Sequence, residues 1–178
     1  MADGSTPVVR IRRSDDIKGC AAVLREVYAT DGYPVEGVTD AEGWLFPDGL
    51  LEAWVAVDSS QILGHAAICE PRGEDAAEML IEQTGINESE IAVVARLFVA
   101  PAARGRSLGQ ALAAAAMEYA TAHDLRVVFD VMTKDRAAIR LYERLGCIRL
   151  GTAVHKFGEG QEVEAYCYVA PGAMPSTR

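Results

Sequence analysis

The sequence predicts a mixed α/β fold in which helices cover an open β-sheet. Three observations lead to this prediction. β-prone and helix-prone segments alternate along the chain, the nearly all-apolar run Ile91–Val99 is typical of the covered centre of a sheet, and two strand pairs are separated by short turns. The 178 residues are 50% hydrophobic and 24% charged, which fits one globular domain.

The elements follow from hydrophobic spacing and turn residues, taken in chain order. A strand at 8–12 precedes a helix of about four turns with apolar positions at helical spacing, and segment 31–47 is broken by Gly and Pro around one short helix. Strands at 51–57 and 62–69 form a hairpin, and an extra acidic helix follows within 71–90. After Ile91–Val99 we expect a helix at 108–123, a strand at 124–132, a helix at 136–145 and a hairpin of strands 147–156 and 162–169.

Bulk charge and cysteine spacing exclude several classes of protein. The net charge of −9 argues against a general nucleic-acid binder, although residues 96–144 hold eight Lys or Arg and five Asp or Glu, so that this region carries +3 and the remainder −12. The four cysteines lie far apart, which disfavours a zinc site or a disulfide scaffold, and we expect no metal. No signal peptide or membrane span is evident, so we expect a cytoplasmic protein without membrane or nucleic-acid partners. We expect a tail at 1–7, one domain at 8–170 and a flexible tail at 171–178.

The stretch from Arg96 to Gln110 predicts an anion site. A β-prone run stops at Pro101, turns through Arg104, Gly105 and Arg106, and enters an alanine-rich helix. Free backbone N–H groups, the positive end of a helix dipole and two arginines therefore converge on one point, and a phosphate is the expected ligand. The glycine spacing fits neither a Walker loop nor a Rossmann fingerprint.

A second motif lies about thirty residues later, where Ala-Ile-x-Leu-Tyr-Glu-x-x-Gly places Tyr142 on an amphipathic helix. Together with Leu-x-Val-x-Pro-x-x-Arg-Gly-x-x-x-Gly, and with the order of elements, it resembles the GNAT superfamily of acetyl-CoA-dependent acyltransferases. The resemblance implies a GNAT-like fold, with order β-α-(α)-β-β-(α)-β-α-β-α-β-β and two splayed central strands. It also implies acetyl-CoA as acyl donor and Tyr142 as the catalytic acid for the leaving thiolate.

The same resemblance assigns the cofactor-contacting positions. The pantetheine arm would pair with the strand before the loop, the pyrophosphate would lie on the loop itself, and further contacts would come from the Tyr142 helix. These positions are Leu97, Phe98, Val99, Arg104, Gly105, Arg106, Ser107, Leu108, Gly109, Gln110, Asp135 and Ala138.

The chain departs from the family pattern at two of these positions. Ser107 stands where glycine is usual: if the position needs a positive φ, serine adds strain of about 1 kcal/mol, and otherwise its hydroxyl caps the helix or bonds a phosphate. Asp135 stands where asparagine is frequent, which places a negative charge near CoA with Arg136 beside it.

The acceptor site carries no motif of its own. Tyr33, Glu36, Trp44 and Asp130 are the candidates for acceptor binding, and Glu36, Glu88, Glu90 and Asp130 are candidate bases, whereas His65 reads as a hydrogen-bonded strand residue. The charge balance favours a cationic small-molecule amine as the acceptor. We hypothesise that this amine attacks the thioester directly in a ternary complex. Two alternatives remain open: a protein lysine or N-terminal acetyltransferase, and a non-catalytic acyl-CoA-binding regulatory module. A homodimer is compatible with each reading.

Overall fold

The computed structural model describes residues 6–172 and confirms the alternation of strands and helices. In chain order the elements are β1 (Val8–Ile11), α1 (Ile17–Asp31), α2 (Ala41–Trp44), β2 (Leu50–Asp58), β3 (Gln61–Cys69), α3 (Asp75–Thr84), β4 (Ile91–Val99), α4 (Leu108–Ala122), β5 (Arg126–Met132), α5 (Arg136–Arg144), β6 (Ile148–Phe157) and β7 (Gln161–Val169). Short 3-10 turns at Ser14–Asp16, Glu88–Glu90 and Pro101–Ala103 precede α1, β4 and α4 respectively.

The strands form a seven-stranded mixed sheet in the order β1-β2-β3-β4-β5-β7-β6. β4 and β5 are parallel, with register pairs from Ile91 with Arg126 to Val93 with Val128, whereas β1–β2, β2–β3, β5–β7 and β6–β7 are antiparallel. The predicted fold class is therefore confirmed.

The chain divides into two compact units, each discontinuous in sequence. Residues 6–70 and 94–116 form the first unit, and residues 71–93 and 117–172 form the second. A single domain at 8–170 stays a prediction. The predicted tails at 1–7 and 171–178 fall mostly outside the described residues.

The first unit is built on the β2–β3 hairpin, with β1 paired to β2 and α1 packed on β3. The middle of α1 buries its apolar face, including Ala21 and Leu24, whereas Tyr28 near its end is 40% exposed. A Cβ added at Gly19 would lie 2.7 Å from Ile62, so helix and strand approach closely there. Asp16 accepts hydrogen bonds from Arg10 at 2.7 and 2.9 Å and from the Arg13 backbone N–H at 2.7 Å. This network ties the start of α1 to β1.

The second unit packs the extra helix α3 on β5, β6 and β7. Its core combines alanines of α3 with branched residues of the strands, namely Ala76, Ala77, Leu80, Ile91, Val93, Val128, Ala153, Cys167 and Val169. β5 begins two residues later than expected because Asp124 adopts a left-handed turn (φ 56°) after α4.

Candidate active site

The loop between β4 and α4 has the expected strand-turn-helix form. The turn Pro101–Ala103 leads through Gly105 (φ 78°) and Ser107 (φ 58°) into α4, whose first turn is closed by a bond from the Ala111 N–H to the Ser107 carbonyl (3.1 Å). Position 107 therefore does require a positive φ. The first of the two possibilities stated above therefore applies: Ser107 adopts a left-handed conformation, which costs about 1 kcal/mol of backbone strain.

Both loop arginines have carboxylate partners that sequence reasoning missed. Arg104 forms a two-pronged ion pair with Asp31, and Arg106 Nη2 lies 3.4 Å from Asp58 Oδ2. The partners lie 73 and 48 residues away, so no sequence spacing could have indicated them. All four side chains are partly exposed, and such pairs contribute little to stability, so the arginines can exchange these carboxylates for a phosphate.

Three predicted acceptor residues of the first unit lie together around an arginine. Trp44 packs edge-on against Tyr33, with ring centroids 5.8 Å apart, and its ring carries the Arg96 guanidinium at 4.1 Å. Glu36 Oε1 lies 3.8 Å from Arg96 Nη1. Phe98 closes the cluster against Trp44 at 6.2 Å.

Arg96 is a candidate functional residue whose position beside the aromatic residues was not predicted from the sequence. Among the described residues with positive φ it is the only one inside a strand, at φ 58°. A left-handed non-glycine residue costs about 1–2 kcal/mol, and such strain clusters at functional sites. A left-handed residue in the middle of β4 is not revealed by the alternation of apolar and polar residues.

A buried histidine contacts the backbone at this left-handed residue. His65 is 0% exposed, stacks on Phe98, and its Nδ1 lies 2.8 Å from the Arg96 carbonyl, while its Nε2 lies 2.9 Å from Arg12 Nη1. Arg12 Nη1 can only donate, and it also bonds the Leu45 carbonyl at 2.7 Å. His65 Nε2 therefore accepts and Nδ1–H donates, which fixes the neutral tautomer.

Burial dominates the protonation of this network. Desolvation by burial lowers the pKa of His65 to about 4 and outweighs the hydrogen bond to the Arg96 backbone, which raises it; the positive charges of Arg12 and Arg96 lower it further. Burial also lowers the pKa of Arg12 from its usual value. The expectation that His65 is a hydrogen-bonded strand residue is confirmed.

In the second unit, Tyr142 lies on α5 and is 4% exposed, with its ring 4.1 Å from that of Phe129. Phe129 stacks in turn on Tyr168 at 5.6 Å, so an aromatic column fixes the Tyr142 ring. Asp135 caps α5 by accepting a bond from the Ala138 N–H at 3.1 Å. The Asp135 carboxylate thus caps the helix, a structural role that was not predicted from the sequence.

Asp130 is also in the second unit. Its contact with His155 was not predicted from the sequence. Asp130 Oδ2 lies 2.7 Å from His155 Nε2, and Asp75 lies 3.8 Å from Nδ1 of the same ring. The short contact is an ion-pair distance without hydrogen-bond alignment, since Nε2 has no hydrogen-bond partner. Of the other candidate bases, Glu90 accepts bonds from Asn87 in the exposed turn before β4, and Glu88 lies in the same turn.

The remaining predicted cofactor-contacting residues lie in β4 and the first turn of α4 and differ in solvent exposure. Leu97, Val99 and Gly109 are half-buried, Gln110 is exposed, and Phe98 and Leu108 are buried. Their contacts with a cofactor stay predictions, as do the roles of Tyr33, Glu36, Trp44 and Asp130.

The cysteines are buried thiols, as expected from their spacing. Burial raises the pKa of Cys20 to about 12 and the pKa values of Cys147 and Cys167 to about 11. These three are poor nucleophiles at neutral pH because little thiolate is present. Among residues 6–172, no three His, Cys, Asp or Glu side chains form a group that could hold a metal ion, and the absence of a metal stays a prediction.

Comparison with solved structures shows that this fold is shared with acetyltransferases. The ribosomal-protein-alanine N-acetyltransferase from Brucella melitensis superposes with a TM-score of 0.71 at 20% identity over 91% of this chain and 98% of that one. The protein yncA from Salmonella typhimurium, solved with its cofactor acetyl-CoA, gives a TM-score of 0.68 at 18% identity over 96% of this chain and 100% of that one.

The sequence itself matches the acetyltransferase (GNAT) family over residues 19–147, and the chain therefore belongs to that family, as the resemblance predicted. The mycothiol acetyltransferase of Rhodococcus erythropolis is 34% identical over 109 residues, which cover 60% of this chain and 32% of that protein. The chain spans about a third of the length of the curated relatives it matches. Within the part of the chain that the structure describes, no helix has the length and hydropathy needed to cross a bilayer.

Proposed function

We propose that this protein is an N-acetyltransferase that moves an acetyl group from acetyl-CoA to the primary amine of a small molecule. The observation that carries the proposal is the loop before α4, where Gly105 and Ser107 both adopt positive φ and two arginines, Arg104 and Arg106, directly precede the helix N-terminus. Left-handed residues turn successive backbone N–H groups toward one point, which is the geometry that cradles a pyrophosphate. Family membership over residues 19–147 supports the same reaction.

The residues present fit acetyl-CoA, which supplies an activated thioester as the acyl donor. In the proposal, Arg104 and Arg106 exchange their carboxylate partners for the pyrophosphate, and Ser107 to Gln110 donate backbone N–H groups. Leu97 to Val99 contact the pantetheine arm through the backbone, since the Phe98 side chain is buried against Trp44 and His65. Asp135 and Ala138, in the N-terminal turn of α5, are further proposed cofactor-contacting residues.

Tyr142 is the proposed general acid. When the neutral amine nitrogen bonds to the acetyl carbon, the C–S bond breaks and the phenol donates its proton to the departing sulfur. The nitrogen releases its extra proton to solvent as the amide forms, and solvent reprotonates the phenolate. The reference pKa values, about 8.5 for a thiol and about 10 for a phenol, allow this transfer between positioned groups. Burial of the ring against Phe129 supports a fixed position for the hydroxyl.

The acceptor is proposed to be cationic in solution, because a primary amine is protonated at neutral pH and the chain outside 96–144 is strongly acidic. It must lose one proton before it attacks. Glu36, which is exposed beside the aromatic residues, is the carboxylate proposed to bind the ammonium and to accept that proton directly or through water. Asp130 is the alternative candidate for the same role.

The proposal is tested by following thiol release from acetyl-CoA with a panel of amino acids, polyamines, aminoglycosides and peptides. Peptide turnover alone would favour a protein lysine or N-terminal acetyltransferase, and saturable CoA binding without turnover would favour a regulatory module. Tyr142→Phe should lower kcat by about 100-fold with little change in the KM for acetyl-CoA, since positioned acids contribute this much. Tyr119→Phe, which removes the same hydroxyl from α4, is the matched control. Full turnover by Tyr142→Phe would remove Tyr142 from the mechanism.

A further inference from the structure

The Arg96 guanidinium is a partly buried charged group with an unpaired donor. Its side chain is only 25% exposed, and its Nε is buried without a hydrogen-bond partner. Its one charged contact among the described residues is Glu36 at 3.8 Å, which is too long for a hydrogen bond. A guanidinium withdrawn from water with its planar donors unused is matched in geometry by a carboxylate, which accepts two parallel bonds from it.

The surroundings fix Arg96 from two sides. Its backbone carbonyl is held by His65, which is itself held by Arg12, and its guanidinium lies flat on the Trp44 ring. The ring of Trp44 is packed in turn against Tyr33. A long arginine side chain normally loses conformational freedom when it binds an anion, and here most of that freedom is already removed.

The positive charge of Arg96 and the negative charge of Glu36 lie next to each other. Glu36 is 57% exposed and lies next to the guanidinium without bonding it closely. This pair matches a zwitterion in which a carboxylate and an ammonium are separated by one carbon: Arg96 faces the carboxylate and Glu36 faces the ammonium. A polyamine would find the carboxylate of Glu36 but would also meet the positive charge of Arg96.

We propose that Arg96 binds a carboxylate of the acceptor, so that the acceptor is an amino acid or a closely similar small zwitterion. The inference rests on the proposed N-acetyltransferase function and narrows its cationic amine to one that also carries a carboxylate. Arg96 is then the specificity-determining residue, and His65 and Arg12 position it through its backbone carbonyl.

The test uses the full chain with acetyl-CoA and matched acceptors: free L-amino acids, their carboxamides, and the amines that lack the carboxyl group. The expected kcat/KM for the acids exceeds that for the carboxamides by about 10- to 100-fold, the range for losing a charge-assisted hydrogen bond. Arg96→Gln should lower kcat/KM for the acid by a similar factor, mainly through KM. It should leave the value for the carboxamide and the KM for acetyl-CoA unchanged.

Arg25→Gln, which removes a charge from the exposed face of α1, is the matched control and should behave as the parent protein. Arg96→Lys should keep part of the preference for acids that Arg96→Gln loses, because lysine retains the positive charge but not the planar pair of donors. If Arg96→Gln does not fold, the acid-versus-carboxamide comparison on the parent protein still decides the matter.

Equal kcat/KM for acids and carboxamides would overturn the inference while leaving the N-acetyltransferase standing. Turnover of polyamines with none on amino acids would have the same meaning. Failure to acetylate any acceptor would overturn the proposed function and the inference with it.

Discussion

Acidification should destabilise this protein through His65. The ring is fully buried, and its pKa is lowered to about 4, whereas the unfolded chain exposes it with an ordinary value near 6.5. Between these two pH values His65 is protonated in the unfolded state but neutral in the folded state, so the free energy of unfolding falls as pH decreases from about 6.5 to 4. The shift corresponds to about 3 kcal/mol in full, at 1.36 kcal/mol per unit, and to about 2 kcal/mol at pH 5.

The assay is urea unfolding at several pH values between 7.5 and 5, for the parent protein and for His65→Gln. Glutamine can accept from Arg12 and donate to the Arg96 carbonyl but does not titrate. The parent should lose about 2 kcal/mol more than the variant over this range. His123→Gln, in which the exposed histidine at the end of α4 is replaced, should follow the parent.

The reasoning is refuted if the parent and His65→Gln lose stability in parallel. That result would mean that His65 takes up its proton in the folded protein as readily as in the unfolded one. The deduced tautomer, with Nδ1–H donating to Arg96 and Nε2 accepting from Arg12, would then be wrong.

Three further changes have defined outcomes. Asp16→Asn should lower the free energy of unfolding by about 1.5–3 kcal/mol at neutral pH, because it breaks a charge-assisted pair with Arg10 that lowers the pKa of Asp16. Ser107→Val should weaken acetyl-CoA binding about tenfold in isothermal titration, since a β-branched residue opposes the positive φ of this position. Gly64→Ala should cost about 1–3 kcal/mol in urea unfolding, because its Cβ would lie 2.9 Å from the Phe98 carbonyl oxygen.

Each of these has its own control. The deficit of Asp16→Asn should shrink as the pH falls through the lowered pKa of Asp16, and a pH-independent deficit would contradict the charge assignment. Ser107→Gly should bind acetyl-CoA at least as well as the parent, and weaker binding would assign the role to the hydroxyl. Gly151→Ala should be milder than Gly64→Ala, because the added Cβ there meets the flexible end of Met79.

The sequence was sufficient for the order of elements because each depends on local signals. Hydrophobic spacing located α1 and β4, and glycine and proline located the turns around them. The loop before α4 was predictable for the same reason, since β4, Pro101 and the alanine-rich helix are adjacent in the chain.

The charge network around Arg96 was not predictable in the same way. Alternation along β4 gives no sign of a left-handed residue, and Arg12, His65 and Arg96 come from three separate strand regions. Tertiary packing alone brings Trp44 beneath the guanidinium. The pairing of Asp130 with His155 likewise depends on β7 lying between β5 and β6, a non-consecutive strand order.

The central claim, transfer of an acetyl group from acetyl-CoA to a primary amine, is tested most directly by isotope-labelled acetyl-CoA. The purified protein is incubated with acetyl-labelled acetyl-CoA and an amino-acid acceptor, and the products are separated and analysed by mass spectrometry. The account predicts free CoA and labelled N-acetyl product in equal amounts, with no label left on the protein. Saturable binding of acetyl-CoA that is recovered intact with every acceptor of the panel would contradict it.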